Sequence, residues 1–519
     1  MLESQILEQV KGYFAALSSA YTFEMACRKD HPKRQELMDF LNDMASTSPQ
    51  LSVTTRETDD ALYEFSLLKD GEKTGIKFRG IPNGHEFTSL LLAILNADGK
   101  GKNLPDEMIG RRIASVKGEI KLQTYVSLTC TNCPDVVQAL NVMALQNPRI
   151  SHEMIDGALF EEEVENLHIQ GVPAVYLNGE PFHTGRGTLG ELLQKLEDAM
   201  GTEEGREQES IEREYDVIVI GGGPAGSASA IYSARKGLRV AVVAETIGGQ
   251  VNETVGIENL ISVPKTTGAQ LSGGMKNHLA DYPIDVYENR KITEVVLQGK
   301  RKAVHARGGE VFYAPAVVIA TGASWRRLNV EGEKQYMGHG VHFCPHCDGP
   351  FYKGKRVAVI GGGNSGIEAA IDLSGICSHV TVLEFADTLR ADTVLQEKAA
   401  QLGNIEIFTS SQTTRVLGDE TKVTGLQVKD RKTDMEREIA LDGIFVQIGL
   451  SPNTELFRDQ VSLSERGEVN IDAFCRTSLP GVYAAGDVTT VPYKQIVVAM
   501  GEGAKAALSA FEDRMRGVL

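Results

Sequence analysis

Two apolar patterns alternate along the chain. Tyr215-Asp216-Val217-Ile218-Val219-Ile220 is nearly continuous and β-branched, the pattern of a strand buried on both faces. Glycines follow at once, then the helical pattern ASASAIYSARKG. The order returns at Arg356-Val357-Ala358-Val359-Ile360, again with glycines and then IEAAIDLSG. Two strand–turn–helix starts predict two nucleotide-binding domains. The N-terminal part is built of smaller pieces. EIKLQTYVSLT reads as a strand running toward Cys130, ISHEMID as a second and AVYLNGE as a third, with LGELLQKLEDAM as a closing helix. Residues 74–95 echo 174–196 as strand, Asn-Gly turn and amphipathic helix, which predicts a duplicated fold whose first copy has no cysteine pair.

Between the two parts lies GTEEGREQESIERE, residues 201–214, with six glutamates against two arginines. So few apolar side chains cannot stabilise a fold, and like charge keeps such a segment extended. The predicted organisation is α/β throughout. An N-terminal unit covers 1–200 and a linker 201–214. One nucleotide-binding domain occurs in two parts, 215–325 and 450–519, and encloses a second, 326–449. A chain of 519 residues is long enough for about three to four such domains.

The formal charge of −17 argues against nucleic acid or an anionic membrane as partner. No apolar run reaches spanning length, and MLESQILEQVKGYFAAL lacks the basic start and cleavage site of a signal peptide. A cytoplasmic protein is expected. In a reducing compartment a Cys-x-x-Cys pair is more often catalytic or metal-binding than structural.

Gly221-Gly222-Gly223-Pro224-Ala225-Gly226 fits G-x-G-x-x-G between a strand and a helix. Gly221 makes the tight turn, Gly223 admits a pyrophosphate and Gly226 lets the helix pack. Glu245, ending RVAVVAE, is placed to accept from ribose hydroxyls. Gly361-Gly362-Gly363-Asn364-Ser365-Gly366 repeats the motif, and HVTVLEF brings Glu384 to the equivalent place. A carboxylate there accepts from a free 2′-hydroxyl and repels a 2′-phosphate, so NADH is expected over NADPH. Arg390 is the nearest basic residue.

Two dithiols remain, Cys130-Thr-Asn-Cys133 and Cys344-Pro-His-Cys347. A Cys-x-x-Cys pair at a helix start exposes its first sulfur to the helix N-terminus, which favours thiolate and attack, while the second resolves the mixed disulfide. A whole domain separates the pairs, whereas the pairs of a Cys₄ zinc site lie about 15–20 residues apart, so no metal is expected. Asp348 follows Cys347 and has the chemistry to shuttle a proton, with a helix cap or ion pair as its structural alternative. Cys27, Cys377 and Cys475 are isolated and read as small buried hydrophobes.

Together, GGGPAG, ATGA, CPHCDG, GGGNSG and AAGD resemble the low-molecular-weight thioredoxin reductases. With Cys130-Thr-Asn-Cys133 ahead of them, the whole chain resembles the F subunits of alkyl hydroperoxide reductase, flavoprotein disulfide reductases that serve a two-cysteine peroxiredoxin. The resemblance implies tandem thioredoxin-like folds, then an FAD domain (215–325 and 450–519) around an NADH domain (326–449). It implies FAD contacts from Gly221, Gly223, Gly226, Glu245, Gly249, Gln250, Asn259, Thr321, Gly322, Gly486, Asp487 and Gln495. For NADH it implies Gly361, Gly363, Asn364, Ser365, Gly366 and Glu384. It also implies a homodimer.

The implied route runs from NADH to FAD, to Cys344–Cys347 with Cys347 next to the flavin, to Cys130–Cys133, and from Cys130 to the peroxiredoxin, which reduces the peroxide. Domain rotation and a shuttling N-terminal unit connect the steps. Pro173 takes the place of the proline that faces a thioredoxin-type disulfide. Thioredoxin-like sites carry a buried acid on the strand before the cysteines, and KLQTYVSLT has none; Glu86, in the first repeat, is the candidate substitute. The alternative is an NAD(P)H-dependent thioredoxin reductase fused to its own thioredoxin-like domain.

Overall fold

The computed structural model describes residues 3–57, 63–130, 132–167, 169, 171–203, 211–254, 256–337, 339–343, 345–419 and 422–519, without the side chains of 253, 346, 347 and 350. The chain divides into two compact units, Met1–Glu209 and Ser210–Leu519.

The first unit holds one eight-stranded sheet. Its strands are β1 (Tyr21–Cys27), β2 (Leu51–Arg56), β3 (Tyr63–Lys69), β4 (Glu72–Arg79), β5 (Ile120–Val126), β6 (Ile150–Asp156), β7 (Ala174–Leu177) and β8 (Glu180–Thr184), in the order β2-β1-β3-β4-β6-β5-β7-β8. β1 pairs parallel with β2 and antiparallel with β3, which pairs antiparallel with β4. β5 pairs parallel with β6 and antiparallel with β7, which pairs antiparallel with β8. The topology is thus written twice, and the parallel pair β4–β6 fuses the copies into one sheet. A single core runs through both, from Phe23, Phe65 and Leu90 to Leu122, Val136 and Leu140.

The duplication holds, but its register differs from the sequence echo. The turn equivalent to Asn178-Gly179 is Asp70-Gly71, since each pair has positive φ (52° and 92°; 51° and 86°) and joins the last two strands of its repeat. Asn83-Gly84 instead leads into a 3₁₀ turn, Gly84–Glu86, ahead of the helix Phe87–Ala97.

The second unit repeats a different plan. One parallel sheet orders Ile284–Tyr287, Val240–Ile247, Val217–Gly222, Ala316–Ile319 and Val482–Ala484. Another orders Val341–His342, Gly443–Val446, Arg356–Ile360, His379–Leu383 and Ile405–Phe408. The continuous apolar runs arise because both faces of each sheet are covered. Val217 and Val219 join one core and Ile218 and Ile220 another; Val357 and Val359 divide from Ala358 and Ile360 in the same way. An antiparallel ribbon of Ala323–Trp325 with Leu450–Pro452 lies where the sequence pattern passes between the halves, at 325/326 and 449/450.

One boundary is corrected. The expected linker ran to 214, but Ile211–Glu214 is a strand that pairs in parallel with Glu310–Tyr313. Arg213 lies 3.5 Å from buried Glu310, and Tyr215 N–H closes the pairing on Tyr313 O at 2.8 Å, so backbone pairing captures a segment with little apolar content. Residues 204–210 of that linker lie outside the described residues. Among the described residues no helix is long and apolar enough to cross a membrane.

Candidate functional site

In the second repeat, β5 ends at Val126 and the helix Cys133–Gln146 starts after a short loop, with a proline in its first turn where a missing N–H costs nothing. Cys130 on that loop is half-buried and Cys133 is fully buried. The Cys133 thiol donates to the Cys130 sulfur, and the Asn132 and Cys133 N–H groups add to it. Together they lower the Cys130 thiol to about 7 against the opposing effect of burial. The same hydrogen bond and burial push Cys133 far up. The Val172–Pro173 bond is cis, and the Val172 carbonyl lies 3.8 Å from the Cys130 sulfur.

The first repeat brings a buried carboxyl to this loop. The loop before Cys130 accepts a hydrogen bond from His85 N–H to Leu128 O at 3.1 Å. Gly84, at φ +57°, makes the approach possible, because a Cβ there would lie 2.5 Å from Leu128 O. The next residue but one, Glu86, is fully buried, and among the described residues neither of its carboxylate oxygens has a partner of good geometry. Burial first, then the charges of Cys130 and Asp135, raise it to about 7, partly offset by Ser89. Its charge in turn raises Cys133. The structure therefore brings Cys130, Cys133 and Glu86 together.

Cys344 lies outside the described residues, as does the side chain of Cys347. Among the described residues around them, the short helix Pro345–Asp348 is followed by a 3₁₀ turn, Gly349–Tyr352. Asp348, the residue expected to move protons, is buried with its Oδ2 3.3 Å from Nδ1 of His342.

Both glycine fingerprints show why glycine is needed and where. A Cβ on Gly221 (φ +110°) would lie 2.3 Å from Ala320 O, and one on Gly361 (φ +121°) 2.4 Å from Gln447 O. At Gly226 and Gly366 a Cβ would lie 1.9 Å from the carbonyl of Gly221 and Gly361. These four positions are fixed by the protein's own packing. The middle glycines differ. The nearest atom to a Cβ on Gly223 is 3.9 Å away, and nothing lies within 4 Å at Gly363. Open space in front of a helix N-terminus fits a pyrophosphate.

Other expected FAD residues gather round the first loop. Gly249 packs on Gly223, with exposed Gln250 next to it, and the Asn259 amide donates to the Gln495 side chain at 3.1 Å. Gly322 (φ +68°) has open space in front of it. Thr321 donates to Asn453 O at 2.8 Å, and the Asn453 amide returns a bond to Thr321 O at 2.8 Å. Asn453, which carries no sequence signature, locks that turn. Gly486 (φ +79°) packs on Ala225, and burial pushes the neighbouring Asp487 carboxyl up. No described residue donates a hydrogen bond to Asp487, which fits an acceptor for a sugar-chain hydroxyl. The residues fit FAD. Glu245 does not end its strand as expected: pairing continues to Ile247 opposite Gly222, and Glu245 stands exposed.

At the second loop, Glu384 accepts from Gly362 N–H at 2.5 Å and from Ala386 N–H at 2.7 Å. The carboxylate is thereby held against the loop that would carry a nicotinamide nucleotide. The Asn364 side chain exchanges two bonds with Asp392, donating to its carboxylate at 2.9 Å and accepting its N–H at 2.8 Å. Ser365 is exposed on the first helical turn.

Residues 215–503 match the pyridine nucleotide-disulphide oxidoreductase family, and 119–198 match the thioredoxin domain family. The alkyl hydroperoxide reductase F subunit of Pseudomonas putida is 50% identical over 518 residues, 99% of each chain. The chain belongs to the family of alkyl hydroperoxide reductase F subunits. Its Staphylococcus aureus (strain MSSA476) counterpart is 47% identical over 516 residues, 99% of this chain and 100% of that one. Thioredoxin reductase from Streptococcus pyogenes superposes with a TM-score of 0.55 at 33% identity, covering 58% of this chain and 99% of that one. As a member of this alkyl hydroperoxide reductase family the protein is a flavoprotein oxidoreductase that uses FAD and a nicotinamide nucleotide.

Proposed function

We propose that this enzyme takes electrons from NADH and delivers them, through FAD, Cys344–Cys347 and Cys130–Cys133, to a two-cysteine peroxiredoxin that reduces alkyl hydroperoxides and hydrogen peroxide. The observation that carries the reading is the polarised dithiol: an accessible Cys130 lowered to about 7, a buried Cys133 pushed up, and a buried carboxyl poised near 7 beside them. Bound FAD supplies the two-electron relay between nicotinamide and disulfide. The Gly223 and Gly363 cradles bind the two diphosphates, and Glu384 favours the free ribose of NADH.

Two-electron reduction of the Cys344–Cys347 disulfide, for which bound FAD would supply the electrons, leaves two thiolates; one takes the carboxyl proton of Asp348 and the other a proton from solvent. The resulting dithiol reduces Cys130–Cys133 by exchange. Cys130 thiolate then attacks the partner's disulfide; one partner sulfur leaves as thiolate and a mixed disulfide forms. Glu86 carboxylate takes the Cys133 proton, Cys133 thiolate attacks Cys130 to form the Cys130–Cys133 disulfide, and the partner's second sulfur leaves as a thiolate; the Glu86 carboxyl and solvent return the two protons that make the partner a dithiol. We further infer a homodimer working in the reducing cytoplasm, where such couples cycle.

NADH consumption with peroxiredoxin and hydroperoxide tests this. Wild type turns over, Cys130→Ser does not, and thioredoxin is a poor acceptor. Equal turnover with thioredoxin would favour the fused thioredoxin reductase instead.

A further inference from the structure

Asp348 sits at one end of a buried row. Its Oδ2 faces His342 Nδ1 at 3.3 Å, and His342 Nε2 lies 2.6 Å from the Tyr352 hydroxyl. All three residues are buried. Phe445 packs against both rings with centroids 5.5 Å from each, tilted to the imidazole and edge-on to the phenol. Space for Tyr352 is made by Gly443, where a Cβ would lie 2.3 Å from a carbon of the phenol ring. The backbone thus seats the tyrosine, the tyrosine meets the imidazole, and the imidazole faces the acid.

The direction of the protons follows from the surroundings. Burial, with Asp348, Asp442 and Cys377 adding to it, pushes Tyr352 up to about 12, so its O–H keeps its proton at neutral pH. The Lys355 ammonium lies 5.3 Å above the phenol ring. A neutral imidazole has one N–H and one lone pair. An unprotonated carboxyl oxygen can only accept, so the ring N–H faces Oδ2 from Nδ1, and Nε2 of a neutral imidazole is then the bare nitrogen that accepts from the Tyr352 hydroxyl.

We propose that Tyr352 fixes His342 in its Nδ1–H form, and that His342 is the positioning residue of Asp348, engaging Oδ2 and leaving Oδ1 as the oxygen that exchanges a proton with the inner dithiol. The proposal rests on the reading of Asp348 as proton donor to the inner dithiol. When Asp348 protonates the sulfur leaving the Cys344–Cys347 disulfide, the carboxylate left behind finds a donor already aimed at it. The same proton returns to Asp348 when the dithiol is reoxidised and that thiol ionises.

The test is made on FAD-loaded enzyme labelled with ¹⁵N-histidine. His342 is expected with a protonated Nδ1 and a bare Nε2; the signal that belongs to it is the one absent in His342→Asn, and it becomes a tautomer mixture in Tyr352→Phe. In single-turnover transfer from NADH to a small aromatic disulfide, His342→Leu slows the reaction about tenfold, the worth of one lost hydrogen bond. His342→Asn, whose amide nitrogen falls near the Nδ1 position, restores the rate. Added to Asp348→Asn, His342→Leu brings no further loss. A bare Nδ1 in wild type, or full multiplication of the two losses in the double variant, overturns the proposal. An unchanged rate in Asp348→Asn sinks the donor reading itself, while the nitrogen spectrum still reports the tautomer. If His342→Leu does not fold, the spectrum and the Asn variant decide alone.

Discussion

In the first repeat the loop 28–33 joins β1 to the helix Arg34–Ala45; in the second the loop 127–132 joins β5 to the helix Cys133–Gln146. The loops are equally long, so His31 and Arg34 occupy the places of Cys130 and Cys133. His31 stacks on Tyr63 at 4.7 Å, and the Arg34 guanidinium donates to the Cys27 carbonyl. Where the second repeat has its thiols, the first has contacts that serve the fold. Yet the first repeat is not inert, because its Gly84–Glu86 turn delivers the buried acid at the second repeat's dithiol. Duplication here separates a strand topology, kept in both copies, from a reactive centre assembled at the seam between them.

The largest effect that tests this division concerns the equivalent positions themselves. Cys130→Ser takes peroxiredoxin reduction to background, whereas His31→Ser and Arg34→Ser leave its kcat within about twofold, because neither touches a reacting atom. Steady-state NADH oxidation with saturating partner reads both. A comparable collapse in the first-repeat variants would mean that the silent loop takes part in transfer.

Glu86→Gln comes next. A carboxyl raised by burial from its ordinary range to about 7 stabilises the fold fully below its unfolded value, and that contribution is lost as pH rises through about 7. The glutamine variant cannot ionise. Its stability relative to wild type therefore grows between pH 4 and pH 8 by roughly 3 kcal/mol, measured by denaturant unfolding of the whole chain. Cys133 simultaneously loses its proton acceptor, and partner reduction slows about 100-fold. A pH-independent difference in stability would show that Glu86 is not the buried titrating group.

How far the sequence carries these conclusions depends on the kind of signal. The strands Arg356–Ile360 and Ile150–Asp156 and the helix Leu189–Met200 fall where their apolar patterns place them, since burial on one or two faces leaves a periodic trace. Gly221 and Gly361 are legible because a turn with positive φ admits little else. Ile211–Glu214 escapes the pattern because edge pairing is a backbone interaction that leaves almost no side-chain trace. Glu86 stands out only through the absence of an acid elsewhere. His342, Asn453 and Asp392 leave no signal, as each acts through a neighbour brought near by the fold. Cys475 reads in the sequence as a plain apolar filler; it is buried, but its sulfur also lies 3.0 Å from the Glu502 carboxylate.

A smaller effect separates the repeats' cysteines by reactivity. After reduction, alkylation of Cys130 rises with pH as thiolate forms, with its midpoint near 7, while Cys27, whose thiol burial raises, stays unmodified in the folded chain. The donor that lowers Cys130 most is Cys133, so Cys133→Ala moves the midpoint up by about one pH unit. Peptide mapping by mass spectrometry after timed alkylation follows each cysteine separately. A midpoint unmoved in Cys133→Ala would assign the lowering to the helix and its N–H groups instead.

The smallest expected effect probes what the repeats share. Asp70 accepts from Ala20 N–H at 3.0 Å and returns its own N–H to Ala20 O at 2.8 Å. Asn178 accepts from Lys121 N–H at 2.8 Å and returns its N–H to Lys121 O at 2.8 Å. Ala20 and Lys121 lie at the starts of β1 and β5, so each turn residue ties the last hairpin of its repeat to that repeat's central strand. Both hold φ near +50°, a conformation that Asn and Asp tolerate better than branched or apolar residues. Exchanging the residues, as Asp70→Asn and Asn178→Asp, keeps the acceptor and the tolerance, and each change alters stability by less than about 0.5 kcal/mol. Asp70→Ala and Asn178→Ala lose both, and each costs about 2 kcal/mol. Unequal costs for the two alanine variants, read by denaturant unfolding, would mean that one copy has come to rely on its neighbours and that the shared topology no longer rests on a shared turn.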